Sequence, residues 1–280
     1  MHSFVRMALT IKAKDQLRQF ANLIILPVCV FYDYSPRFNG ESVGDVSRAT
    51  QPMLSASSWA YLMWVPVLAG HFAYALFQGL PHQQRRPLHR NIGWLTVINA
   101  ALGAYWTFAF SHHAYASAAL IMVAMLMNLA LMESRIGEDA EIGKARWFVR
   151  SPFALNFGWV SIVTILNLTQ TLSAFGYTGA PLSPVIWANV LVLGALALGG
   201  FMAIVRKKAT FAIAIAWGLV GIAAFEWGHV TSVTVTAGAG AVALFGIAVV
   251  ELISQRSNIF ARSESETSAR PSRKHTLRSA

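Results

Sequence analysis

Four residues at the ends of apolar segments carry groups that a metal site needs: His112, His113, Glu226 and His229. Imidazole and carboxylate both ligate zinc, and imidazole also titrates near neutral pH. Glu226 and His229 are three residues apart, so a helix would put them on one face. The plainer reading of all four is interfacial polar residues at a membrane edge. His71 is the one histidine deep inside an apolar segment. Haem clamped between helices needs axial ligands at matching depth. No second deep histidine exists, so His71 reads as a packed, hydrogen-bonded side chain. A positioned nucleophile and base would need a spaced motif, and none occurs.

Charge is missing where a pump would need it. Ionisable residues inside a membrane mark ion and proton pathways. Asp33, Glu133, Glu226 and Glu251 all fall at segment ends. Lys12, Lys14, Lys144, Lys207, Lys208 and Lys274 all lie outside the apolar segments, so a retinal Schiff base has no nitrogen to form on. A lone cysteine, Cys29, excludes an intramolecular disulfide.

Tryptophan is abundant, with nine copies. Trp59, Trp94, Trp147, Trp187 and Trp227 suit membrane interfaces, where Trp normally gathers. Trp64, Trp106, Trp159 and Trp217 lie further into the apolar segments. A buried indole N–H needs an acceptor; Asn99, Asn128, Asn156, Asn167, Thr169 and Gln170 are the polar groups at hand. Aromatic walls with a few converging polar groups describe a pocket for a flat, apolar ligand, although packing alone would also explain each Trp.

The elements that must position these residues follow from composition. Of 280 residues, 55% are apolar and only 12% are charged, against ~45–50% and ~25% in soluble domains. Asn91–Met132 runs 42 residues without Asp, Glu, Lys or Arg, and Ser151–Val205 runs 55. About 20 apolar residues cross ~30 Å of hydrocarbon as a helix. A barrel would alternate with period two; these blocks are apolar on both parities. The sequence therefore predicts an all-α, polytopic membrane helix bundle.

Eight spans are expected, at 17–33, 57–79, 91–110, 114–133, 152–175, 184–205, 209–226 and 229–252. Ser111-His112-His113 divides the first long block, and the Gly- and Pro-rich stretch from Gly176 to Pro184 divides the second. With that count, 20 of the 22 Lys and Arg fall on one side and two on the other. The positive-inside rule then places both termini in the cytoplasm, with the cell (inner) membrane the expected residence. The net charge of +10 reads as this asymmetry, not as a nucleic-acid surface. The first span is the weakest, with 14 residues between Arg18 and Asp33 and a break at Pro27. Residues 1–16 read as a cytoplasmic segment. The stretch 253–280 reads as a basic cytoplasmic tail, disordered from Arg256. Ala237, Gly238, Gly240, Ala241 and Gly246 in the last span allow close approach to another span or to a second protomer, so a homodimer is one arrangement they permit.

The order of motifs adds a resemblance. The second span opens Trp59-Ala-Tyr61-Leu-Met-Trp64 and ends Phe77-Gln78-Gly-Leu-Pro81. The third carries Asn99 and Trp106. The fifth has Pro152, Trp159-Val160 and then Asn167, eight after the Trp; the seventh reads Ala216-Trp217-Gly-Leu-Val-Gly-Ile. This order resembles the TspO/MBR family, the tryptophan-rich sensory and translocator proteins, in a longer form. The resemblance covers 17–175 as a five-helix core and leaves 176–252 as three additional transmembrane helices. Gly103 and Leu68 stand where the family carries Asn and Tyr. The resemblance implies a pocket under the first outer loop (34–56) that accepts tetrapyrroles or other flat hydrophobic molecules such as sterols. It names Trp64, Trp106, Trp159 and Asn167 as ligand-binding candidates. A tetrapyrrole enters only as such a ligand; no cofactor is otherwise indicated.

Three functions are expected from these observations. Binding or sensing of a porphyrin-like molecule leads. A transporter or permease for a hydrophobic small molecule fits eight spans and the break at Pro66, but no two halves with matching interrupted segments are found. A membrane enzyme using the outer His/Glu group comes third.

Overall fold

The computed structural model describes residues 2–33, 41, 43–49, 52–136 and 143–268. Among these, the chain is helical throughout and contains no strand. The helices are α1 (His2–Asp33), α2 (Val43–Ala49), α3 (Trp64–Gly79), α4 (Pro87–Ile92), α5 (Leu95–Ser111), α6 (Tyr115–Arg135), α7 (Ser151–Ala174), α8 (Pro184–Ile204), α9 (Ala209–Glu226) and α10 (Thr231–Ser268). A 3₁₀ turn over Ser58–Met63 leads into α3, and a π-helical turn over Arg146–Arg150 leads into α7.

Local chemistry accounts for several boundaries. Pro184 opens α8 at a position whose N–H would have no helical partner. The Ser183 hydroxyl caps that end by accepting from the Ile186 N–H at 3.3 Å. At the other end of α7, Gly176 adopts φ 76°. Tyr177 N–H then donates back to Leu172 O at 3.0 Å, closing a left-handed helix cap that only glycine enters without strain.

All eight expected spans fall on helices. Six are long and apolar enough to cross a membrane: Ser58–Gly79, Tyr115–Arg135, Arg146–Ala174, Pro184–Ile204, Ala209–Glu226 and Thr231–Gln255. The other two are the 17-residue α5 and the Pro27-interrupted α1. Large apolar side chains such as Leu120, Val242, Met127 and Val235 are more than 60% exposed along these helices. Continuous apolar surface of that kind suits lipid, not water. The protein is a multi-pass integral membrane protein.

Helix α1 begins at His2, so residues 2–16 are helical and continuous with the first span. Helix α10 continues to Ser268, through the part of the tail expected to be disordered. The reason is the same at both ends. Extending an existing helix needs no new nucleus, and Leu252–Ser268 contains neither Gly nor Pro. The rest of the tail, 269–280, lies outside the described residues, as do 34–40 of the first outer loop.

Helix α7 is the hub of the bundle. It packs against α3, α6 and α9, and 78% of its apolar window is buried, against 28–44% for α3, α6, α8 and α10. Helix α5 packs on α6 and α1, while α8 and α10 reach the rest of the molecule mainly through α9. The α7–α9 crossing depends on two small residues. A Cβ on Gly158 would overlap the Phe211 carbonyl and lie 3.0 Å from Ala214 Cβ; one on Gly218 would lie 2.9 Å from Ile162. Small residues of this kind let membrane helices approach backbone to backbone.

Ion pairs gather at one end of the bundle. Asp15 takes Arg90 through both carboxylate oxygens, at 2.9 and 2.6 Å along the strongest two contacts and 3.3 Å along a third. Glu133 pairs with Lys208 in a buried contact, and Glu251 with Lys207 at 3.1 Å. These pairs bring together the segments that the charge alternation assigns to one side. Small residues of the last span pack inside the chain: Ala237, Ala241 and Ala248 are buried, and Gly240 faces Leu196 and Leu219.

Candidate functional site

The site lies at the end of the bundle opposite those ion pairs. Helix α3 begins at Trp64, so its ring sits at the mouth of the helix. Trp106 lies near the end of α5, and Trp159 and Asn167 lie about 12 Å apart along α7, eight residues at 1.5 Å each. Packing of α3, α5 and α7 brings all four together. The Trp64 ring is 6.4 Å from Trp106 and 6.1 Å from Trp159, edge-on to the latter. Tyr61 approaches Trp159 at 6.0 Å, also edge-on. Phe110, one turn beyond Trp106, stacks on it at 5.4 Å. Such offset and edge contacts suit the aromatic quadrupole. Trp106 Nε1 donates to Asn167 Oδ1 at 2.9 Å, so one of the polar groups noted as an indole acceptor does that work.

A small void adjoins this cluster. Val43, Ser47, Leu54 and Ser55 line it from the loop, and Tyr61, Trp106, Phe110, Leu166, Asn167 and Gln170 from the bundle. Its volume is about 10 Å³, room for the centre of a single water. Residues 43–49 and 52–57 cover it and are fastened from below. Gln170 Nε2 donates to the carbonyls of Val46 and Ser47, both at 3.3 Å. Thr169 Oγ1 donates to Leu54 O at 3.2 Å. Ser57 N–H donates to Gly221 O on α9 at 3.0 Å. Helix α9 also holds the turn before α3, because Trp217 Nε1 donates to Ala60 O at 2.8 Å. The later helices thus steady the cover but contribute none of the residues that line the void.

One buried donor in the cluster is unmatched. Trp159 is fully buried, yet its Nε1 has no hydrogen-bond partner, and neither does Asn156 Oδ1 one turn earlier on α7. Buried polar atoms of this kind call for an explanation. Asn156 Nδ2 meets His71 Nε2 at 3.3 Å, and His71 Nδ1 lies 2.9 Å from Val67 O. A carbonyl only accepts, so Nδ1 carries the proton and Nε2 accepts from Asn156. His71 is the packed, hydrogen-bonded histidine that its isolation suggested.

The outer polar residues separate. His113 faces Glu41 from the loop at 3.4 Å and Tyr115 at 2.9 Å. His112 Nδ1 turns to Phe108 O at 2.8 Å. Glu226 and His229 are joined through the backbone, His229 N–H to Glu226 O at 2.9 Å. Among the described residues, no three His, Cys, Asp or Glu side chains come close enough to hold a metal ion. The set of His112, His113, Glu226 and His229 is therefore not assembled, because α5 and α9 are kept apart by α7. Asn99 accepts from Asn128 at 3.5 Å and does not line the void.

The sequence reading missed the loop residues that line the void and the two α7 side chains that fasten them. Thr169 and Gln170 were legible as polar groups within an apolar segment. Their partners were not, since a loop more than 100 residues away supplies them.

A family model described as TSPO-like protein matches residues 16–250, more than four fifths of the chain. No curated protein and no solved structure matches.

Proposed function

The chain belongs to the TSPO-like family, and on that premise we propose that it binds or senses a flat hydrophobic molecule, tetrapyrrole or sterol-like, beneath residues 43–49 and 52–57. The observation that carries this reading is the meeting of Trp64, Trp106, Trp159 and Asn167 under a hydrogen-bonded cover. The indole faces would stack on a ring system. Asn167, already bonded to Trp106, would orient a polar edge, and the unmatched Trp159 N–H would gain an acceptor.

Ligand sites for molecules of this size run to ~300–1,000 Å³, so a void of about 10 Å³ describes the closed state. Binding requires the cover to lift from α7 and the ring to take its place against Trp106 and Phe110. In the membrane, both chain ends lie on the cytoplasmic side and the cover on the other.

Titration with protoporphyrin IX, followed by tryptophan fluorescence, tests the reading. Saturable quenching that weakens in Trp64→Phe and Trp159→Phe is expected. Absence of saturable quenching, or quenching indifferent to both substitutions, overturns it.

A further inference from the structure

Seven buried polar atoms at the other end of α3 have no hydrogen-bond partner: Arg18 Nε and Nη2, Tyr74 Oη, both amide atoms of Gln78 and both ring nitrogens of His89. None of the four residues is more than 5% exposed. Tyr74 and Gln78 are one turn apart on α3 and share a face. The rings of Tyr74 and His89 are 5.6 Å apart, and Phe77, between Tyr74 and Gln78 in sequence, is 5.9 Å from His89. Arg18 on α1 is within electrostatic reach of both Tyr74 and His89. The contact of Arg90 with Asp15, one turn before Arg18, ties α1 to α4 beside the cluster.

The charges do not balance there. Arg18 Nη1 touches Asp15 at 3.3 Å, but Asp15 gives both its oxygens to Arg90. One carboxylate thus serves two guanidinium groups, and the more buried of the two keeps free N–H groups. An uncompensated buried charge is expensive. Most of the unmatched atoms are donors: the Arg18 N–H groups, the Tyr74 hydroxyl, the Gln78 amide and one His89 N–H. Burial, with the charges of Arg18 and Arg86, holds His89 down at about 4, so its ring is neutral and offers one donor. Water would satisfy donors but not the charge. A tetrahedral oxyanion accepts several hydrogen bonds at once and neutralises the guanidinium.

We propose that Arg18, Tyr74, Gln78 and His89 form a binding site for a phosphate-type oxyanion. The site is about 21 Å from Trp64 along α3, fourteen residues at 1.5 Å each, and is independent of the aromatic site. Free inorganic phosphate and a phospholipid headgroup share this chemistry.

The test uses full-length protein delipidated in a phosphate-free detergent, with the histidines labelled with ¹⁵N. One arm adds inorganic phosphate; the other adds bicelles of phosphatidylglycerol. Either arm is expected to move the His89 ring resonance and raise the unfolding midpoint in a saturable way, and the arm that does so identifies the source. Arg18→Gln is expected to weaken that response about tenfold or more. Gln78→Glu supplies a carboxylate in place of the anion, so it should abolish the response and raise the midpoint without phosphate. A His89 signal unmoved in both arms overturns the proposal, as does a response of equal strength in Gln78→Glu. Should Arg18→Gln fail to fold, the His89 resonance of the unaltered protein still decides.

Discussion

Replacing Thr169 with Val asks whether the cover around Leu54 gates the aromatic site. Valine keeps the branching and nearly the volume of threonine and removes only the hydroxyl. That hydroxyl donates to Leu54 O in the cover, 3.2 Å, and lies 2.9 Å from Leu166 O within α7. The second contact is internal to the helix, so the first is the one whose loss changes the balance between closed and open. A net hydrogen bond contributes ~0.5–1.5 kcal/mol, and a carbonyl left buried without a donor costs ~1–3 kcal/mol. Relaxation of the cover recovers part of that, which leaves about 1–2 kcal/mol against the closed state. At RT of about 0.59 kcal/mol, the open fraction rises roughly 5- to 30-fold. Thr169 does not line the void, so the ligand's own contacts survive. Stopped-flow quenching by protoporphyrin IX should show an association rate constant raised by that factor, because a ligand that enters only the open state samples it more often. A rate constant within twofold of the unaltered protein, alongside a Trp106→Phe variant that still loses affinity, would refute gating by this loop.

Other consequences follow from the same geometry. Gly158→Ala sets a Cβ against the Phe211 carbonyl at the α7–α9 crossing, and overpacking of that kind costs ~1–3 kcal/mol; an unchanged detergent unfolding midpoint would show that the crossing is not tight. His89 lies below its ordinary value, at about 4. The folded state therefore keeps it neutral while the unfolded chain protonates near 6.5. Its contribution is fully present above about pH 6.5, falls as pH drops towards about 4 and is flat below that. The loss is about 3 kcal/mol at ~1.36 kcal/mol per pH unit. SDS unfolding between pH 7 and 4.5 should show this slope, and His89→Asn should flatten it. In a double-mutant cycle on Trp106→Phe and Asn167→Leu, the single changes should cost more than the pair implies, with a coupling of about 1 kcal/mol; additive effects would deny the indole-to-amide bond any weight.

The outer contact of Glu41 with His113 and the fastening of Ser57 to Gly221 place the cover between two helical groups. One is the α3–α5–α6–α7 cluster that carries the aromatic rings. The other is the α8–α10 group, which touches the site only through α9. The three later helices therefore support the site from outside its lining. The family match runs to residue 250, while every lining residue lies before 171.

Composition and order alone determined that this chain is a helical membrane protein, and for a local reason. In hydrocarbon each backbone N–H and C=O must be satisfied within its own segment, so a run of some 20 apolar residues forms a helix whatever surrounds it. Segment positions were readable on that ground, and the distribution of basic residues and the aromatic motifs from their order along the chain. Facing was not readable. Helix α9 is apolar on every side, so no polar stripe marks its buried face. What distinguishes Trp159, sealed in the core, from Trp227, open to its surroundings, is shape complementarity between distant helices. The same holds for the polar groups. Thr169 and Gln170 could be seen to need partners, but only the folded chain brings Leu54 and Val46 over them. It likewise leaves Arg18 and His89 buried together and sends His113 to Glu41 instead of to His229.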